Sequence, residues 1–162
     1  MDVNEARDIA NAALAGLTAD VADDLKLDDD GVCRLVFERG GNMYFILDAA
    51  SADLIVWSPA GVLPAESSQQ ATVLRELMQA NLFWGGTNGA TLSLATDGET
   101  VVLQRRVPLY GLTGDELSFF VEQMLDAAVT FNHGLALSGE LPDRAAAEPE
   151  TERPHLSGAI RG

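Results

Sequence analysis

Residues 81–94 read NLFWGGTNGATLSL. Three glycines, one of them in an Asn-Gly pair, separate two kinds of hydrophobic pattern. A phosphate-cradling loop runs from a strand through glycines into a helix N-terminus, whose N–H groups face the anion. Here the order is reversed. The segment before the glycines has helical spacing, and the segment after them alternates as a strand does. A helix C-terminus presents carbonyls and repels phosphate, and no Gly-Lys-Ser/Thr follows. The stretch therefore ends a helix and turns the chain into a strand.

Upstream of that turn, a helix is expected from Ser67, where Ser67 and Gln70 have the spacing of a capping box. Leu74, Leu77, Met78, Asn81 and Leu82 fall on one side of it. Arg75, Glu76 and Gln79 fall mainly on the other. Downstream, ATLSLA and TVVLQRRV read as two strands joined at Asp97-Gly98, a strong hairpin signal. That turn pairs Leu94 with Val101 and Leu92 with Leu103, so all four share one face.

A further helix follows. Thr113 and Glu116 form a capping box, Leu112 and Leu117 stand at staple positions, and Asp115 and Glu116 suit the positive helix end. Leu117, Phe120, Val121, Met124, Ala128 and Phe131 make its buried stripe. His133-Gly134 fits its C-terminal end. From Ser138 onward the chain is rich in Pro, Glu and Ala without apolar period, which reads as a disordered tail.

The N-terminal half adds a first helix over 4–17, capped by Asn4. Its stripe is Ala6, Ile9, Ala10, Ala13, Leu14 and Leu17. An acidic link over 18–31 leads into CRLVFERGGNMYFILD, two strands around Gly40-Gly41. A two-residue loop there sets Glu38 against Met43, Phe37 against Tyr44 and Val36 against Phe45. LIVWSP at 54–59 is a third strand, and Pro59 and Pro64 stop the sheet. Under that register Cys33, Leu35, Phe37, Tyr44 and Ile46 share one face. Val36, Met43, Phe45 and Leu47 lie largely on the other, leaving a surplus apolar face to be covered. The order is α-β-β-β-α-β-β-α: an α+β fold with a twisted antiparallel sheet packed by helices. Residues 1–137 form the domain and 138–162 the tail.

The 162 residues suit one domain, and 47% are hydrophobic. No apolar run approaches the ~20 residues of a membrane span. The N-terminal residues lack the pattern of a signal peptide, so a cytosolic protein is expected. One cysteine, Cys33, excludes an internal disulfide and reads as a small buried residue. Acidic residues number 25 against 10 basic ones, a formal charge of -15. Such a field repels phosphate backbones and anionic membranes. It keeps a sticky surface soluble and suits a basic or polar partner.

No catalytic, metal or cofactor motif stands out. DDDG at 28–31 fails the calcium-loop pattern, since position one would be Lys26 and position twelve Phe37. His133 and His155 make no ligand set with Cys33. G-x-S-x-G is absent, and the many carboxylates specify no hydrolytic pair. Trp57 and Trp84 each precede a break and fit either edge packing or an interface anchor. Arg105 and Arg106 fit either an anion site or one solvated charge beside one that offsets nearby acids.

Residues 77–131, LMQANLFWGGTNGATLSLATDGETVVLQRRVPLYGLTGDELSFFVEQMLDAAVTF, resemble the core signature of the class I type III secretion chaperones, the Tir chaperone (CesT) family. The features carrying the resemblance are a helix ending in Asn-Leu-Phe, a glycine turn and an L-S-L strand. An acidic turn, a strand ending in Arg, Val, Pro and Leu, and a long amphipathic helix complete them. LKLDDDGVCRLVFERGGNMYFIL resembles the first two strands of the family. A longer acid-rich link and the C-terminal tail depart from it.

The resemblance implies a small acidic homodimer in the bacterial cytosol, without enzyme activity or cofactor. It would bind the N-terminal chaperone-binding segment of a secreted effector in extended form and keep it soluble and secretion-competent. By the same resemblance the dimer interface draws on helix two and strand four: Leu74, Leu77, Met78, Asn81, Leu82, Trp84, Leu92 and Leu94. Effector binding would draw on helix one and the exposed sheet: Ile9, Ala13, Leu17, Val36, Met43, Phe45, Leu47 and Trp57. An extended chain adds to a sheet edge and sets alternate side chains in pockets, which suits such a surface. Two alternatives are a regulatory relative that sequesters a secretion regulator and a small enzyme with an acidic site.

Overall fold

The computed structural model describes residues 1–17, 25–37 and 41–140. The elements are α1 (Val3–Ala15), β1 (Val32–Val36), β2 (Asn42–Asp48), β3 (Asp53–Val62), α2 (Ser67–Ala80), β4 (Thr91–Leu94), β5 (Thr100–Pro108) and α3 (Gly114–Glu140). All strands are antiparallel in the order β1-β2-β3-β5-β4. This is the expected α+β arrangement, with every expected helix and strand present. The first part of the acidic link, 18–24, and the tail beyond 140 lie outside the described residues.

One face of the sheet carries Cys33, Leu35, Met43, Phe45, Leu54, Val56, Val101, Leu103 and Val107, all buried. α3 packs along β3, and α1 packs against α3 and β2 on this face. The small stripe of α1 permits the close approach: Ala6, Ala10, Ala13 and Leu14 are buried in it. At the crossing, a Cβ on Gly16 would lie 2.5 Å from the Gly114 Cα. Only glycine fits there.

The hairpin β4–β5 has the expected register, Leu94 opposite Val101 and Leu92 opposite Leu103. Asp97 fixes its turn by accepting from the N–H groups of Glu99 and Thr100 and from the Thr100 hydroxyl. These bonds, the Thr100 hydroxyl foremost, pull the Asp97 pKa down. The capping box of α3 also forms: the Thr113 N–H donates to Glu116 Oε2, and the Glu116 N–H to Thr113 Oγ1.

Five local expectations are corrected. First, β1 and β2 pair Val36 with Asn42, Leu35 with Met43 and Cys33 with Phe45. Beyond the last ladder pair, the Phe37 N–H donates to the Gly41 carbonyl at 3.2 Å. The slip is an odd number of residues, so it exchanges faces. Cys33, Leu35, Met43 and Phe45 now share the helix-covered face, and Tyr44 and Ile46 the other. Glu38 lies outside the described residues.

Second, β3 continues past Pro59 to Val62, with a register shift between Pro59 and Gly61 that absorbs the missing N–H. Third, α3 does not end at His133-Gly134 but runs to Glu140. Leu135 is buried against Gly61, where any Cβ would meet it at 2.6 Å. That contact outweighs the roughly 1 kcal/mol helix penalty of Gly134. Fourth, Asp2 rather than Asn4 caps α1, its Oδ1 accepting from Asn4 and Glu5 N–H. Fifth, no capping box forms on α2: Glu66 is the N-cap, and Gln70 instead donates to the Pro64 carbonyl at 2.8 Å.

Candidate functional site

α2 is thinly attached to its own chain. Only Val73 and Leu77 are buried, while Met78 is 74% and Leu82 65% exposed. Leu74, Leu77, Met78, Asn81, Leu92 and Leu94 line one hollow of about 160 Å³ between α2 and β4. A wider apolar depression of about 530 Å³ continues over Ala71, Leu74, Met78 and Leu82. Seven of the eight residues expected at a dimer interface therefore border one continuous surface. Within it, Leu77 and Leu92 are core, and Asn81 is occupied internally: it accepts from the Leu92 N–H at 2.8 Å and donates to the Leu92 carbonyl at 3.1 Å.

The eighth, Trp84, sits at the end of a 3₁₀ turn, Leu82–Trp84. Phe83 and Trp84 both have φ of 55°, a left-handed conformation that costs a non-glycine residue about 1 kcal/mol or more. Phe83 is nonetheless 85% exposed. The turn is held by the Trp84 carbonyl, which accepts from the Gly89 N–H at 3.2 Å, and by the Trp84 indole N–H on Thr91 Oγ1 at 3.3 Å. The turn thus holds an exposed aromatic ring in a left-handed backbone. The reading of the sequence passed over Phe83, since an aromatic after Asn-Leu passes for helix core.

The sheet face turned away from α1 and α3 is the second surface. Tyr44 and Trp57 are direct cross-strand partners there, stacked at 4.3 Å with 10° between planes. Arg34 lies 5.7 Å from the Tyr44 ring centroid. Ile46 and Ile55 pair beside them. Arg106 is bound at 2.5 Å to Asp48 and at 3.1 Å to Asp53. Ser51 and Arg106 together hold the Asp48 pKa below its usual value.

The residues expected to bind an effector divide between environments. Trp57 and the exposed Val36 are on this open face. Ile9 is half-buried on α1, Leu17 just past its C-terminal end, and Leu47 is half-buried over the core. Ala13, Met43 and Phe45 are fully buried core residues and offer no surface. The mistaken hairpin register put Met43 and Phe45 outside. The corrected one puts Tyr44, Ile46 and Arg34 there instead.

Cys33 is buried, and that burial pushes its thiol pKa up. An inert packing thiol results. No group of three or more potential metal-ligating side chains occurs among the described residues.

Residues 13–132 match the model of the Tir chaperone protein (CesT) family. Among curated proteins none matches. Solved structures share the fold. A chain of the ExsC–ExsE complex superposes with a TM-score of 0.68 at 20% identity, covering 83% of this chain and 97% of that one. The complex of the Yersinia pestis type III secretion chaperone SycH with a YscM2 fragment gives 0.59 at 16% identity, covering 75% and 98%. The HopA1–SchA chaperone–effector complex gives 0.60 at 16%, covering 86% and 99%. With the family model spanning most of its length and the matching fold beneath it, the chain belongs to the Tir chaperone protein (CesT) family.

Proposed function

We infer that this chain is a type III secretion chaperone that binds an effector polypeptide. The family match over residues 13–132 carries the reading. The mechanism is passive: an extended segment of the effector is covered, kept soluble and presented for secretion. Strand addition at a sheet edge with alternate side chains in pockets is the general mode such a surface serves. The open face around Tyr44, Trp57, Ile46 and Ile55, with Val36 at its rim, supplies apolar contacts, and so do Ile9 on α1 and Leu17 just past its end.

The working unit is a homodimer built on α2 and β4. An isologous interface needs a self-complementary patch, and Leu74, Met78, Leu82 and Leu94 provide one that the chain's own helices leave uncovered. The protein acts in the bacterial cytosol, without cofactor and without catalysis. Among the described residues no helix is long and apolar enough to cross a membrane.

Co-expression with polypeptides from neighbouring reading frames tests this. A stable complex with one effector N-terminal segment per dimer is expected. A light-scattering monomer that co-purifies with no polypeptide would contradict the reading. A complex with a secretion regulator in place of an effector would favour the regulatory alternative.

A further inference from the structure

The sheet register lines up one side chain from every strand on the open face. Arg34, Tyr44, Trp57, Gln104 and Thr91 are successive cross-strand partners. Trp84 extends this row, its indole N–H donating to Thr91 Oγ1 at 3.3 Å. Both tryptophans of the chain thus belong to one row, with only β5 and β4 between them. Neighbouring strands lie about 4.8 Å apart, so Trp57 and Thr91 stand about 10 Å apart.

A cleft of about 710 Å³ opens beside Trp84, lined also by Ile55, Thr91, Gln104, Asp48 and Arg106. Its charges are already matched: Arg106 is bound to Asp48 at 2.5 Å and to Asp53 at 3.1 Å. Arg105 borders the cleft as well, but its guanidinium packs over the Phe120 ring of α3, on the helix-covered face.

Trp84 is fixed before anything binds. Its carbonyl accepts from the N–H groups of Thr87 and Gly89 at 3.3 Å and 3.2 Å, and from the Thr87 hydroxyl at 3.3 Å. Thr87 itself is fully buried. Trp84 borders neither apolar hollow of the α2–β4 patch, whereas Asn81 and Leu82 each border one.

We propose that Trp84 is a client contact and not a dimer contact: with Ile55 it receives an aliphatic or aromatic side chain of the bound polypeptide. This rests on the chaperone reading and adds to it a named anchor and a side-chain preference in the client. The lining selects an uncharged occupant. A charged side chain would lose water here and find Arg106, Asp48 and Asp53 already paired. An apolar one covers Trp84 and Ile55 without that cost. A polypeptide is the occupant because the cleft continues into the row, about 19 Å across five strands, the length of an extended segment of about six residues. A ring held in place in advance loses little freedom on contact, which suits an anchor.

The test uses the full chain carrying fluorotryptophan, its two fluorine resonances assigned with Trp57→Phe. The probes are acetyl-GSFSFSG-amide and its forms with both Phe→Ser or both Phe→Glu. At fixed protein concentration the phenylalanine peptide should shift the Trp84 resonance and bind about fivefold or more tightly than the serine form, with the glutamate form no better than serine. Diluting the protein through dimer dissociation should leave the Trp84 resonance unmoved. Trp84→Ala should weaken the phenylalanine peptide about tenfold, while the dimer dissociation constant by light scattering stays within about twofold. If that variant does not fold, the peptide and dilution measurements on the unchanged chain decide.

A Trp84 resonance that moves on dilution assigns the ring to the second copy and overturns the proposal. Equal binding of the phenylalanine and serine peptides overturns it too, as does a folded Trp84→Ala chain that binds the phenylalanine peptide as before. If a client co-purifies yet the peptides are not distinguished, this inference alone falls. If no polypeptide co-purifies but phenylalanine is selected, the cleft stands and the chaperone reading falls.

Discussion

Asn81 and Leu92 are joined by both ends of the Asn81 amide, at 2.8 Å and 3.1 Å to the Leu92 N–H and carbonyl. The side chain thus acts as a one-residue strand partner. It ties the C-terminal end of α2 to the exposed edge of β4, the two elements that carry the apolar patch. An aspartate there keeps the acceptor but sets a carboxylate oxygen against the Leu92 carbonyl. We expect Asn81→Ala to cost about 1–3 kcal/mol, because two backbone groups lose partners, and Asn81→Asp to cost at least as much. Urea unfolding at one fixed protein concentration measures both. Values under about 0.5 kcal/mol for both would mean that water replaces the clamp without loss.

Met78 offers a test that separates the proposed dimer contact from the core. It is largely exposed, whereas its neighbour Leu77 is buried. Met78→Glu is therefore expected to leave the fold intact while weakening self-association by about tenfold or more, the share of a typical interface anchor. Leu77→Glu should instead unfold the chain, since it buries a charge. Light scattering and circular dichroism on both variants make the distinction. A folded Met78→Glu protein that stays dimeric at low micromolar concentration removes α2 from the interface.

How far the residues alone could carry the fold depended on whether two local signals agreed. At β4–β5 the Asp97-Gly98 turn and the alternation of Leu92, Leu94, Val101 and Leu103 demand the same register, and that register forms. At β1–β2 the Gly40-Gly41 pair suggested a two-residue turn, but apolar residues on both faces of each strand, at Val32, Cys33, Leu35 and Val36 and throughout Met43–Leu47, gave alternation no vote. Packing decided instead, by gathering Met43 and Phe45 under the helices. The α2 patch was legible because helical spacing marks one side regardless of partner. The Tyr44–Trp57 stack was not, because the β2–β3 register that brings the two rings together is set by packing between the strands and not by a motif within either one.

Gly16 and Gly114 should tolerate no side chain. Each Cβ would fall at or below 2.6 Å from the other's backbone, and neither backbone is a flexible side chain that swings aside. Gly16→Ala and Gly114→Ala are each expected to destabilise by about 1–3 kcal/mol, the usual penalty of overpacking. The denaturation midpoint should fall with an unchanged slope. Because both substitutions force apart the same crossing of α1 and α3, their effects should not add. Additive losses would show two independent strains.

Stability should decline on acidification in a way that Asp97 partly controls. Its folded pKa is held below the ordinary value by the Thr100 hydroxyl first, then by the Thr100 and Glu99 N–H groups. A depressed carboxylate pKa means that the unfolded chain binds the proton more readily. The stabilisation is fully present above the unfolded value of about 3.9 and is lost as pH falls through the lower folded value. Asp48, lowered chiefly by Ser51, has the same sign. Asp97→Asn keeps an acceptor for the turn but no titrating group. Urea midpoints measured from pH 7 down to 3 should therefore fall less steeply below pH 4 in Asp97→Asn than in the unchanged chain. Parallel curves would show that the Asp97 turn contributes nothing to acid sensitivity, and that its three hydrogen bonds persist equally well with the carboxyl protonated.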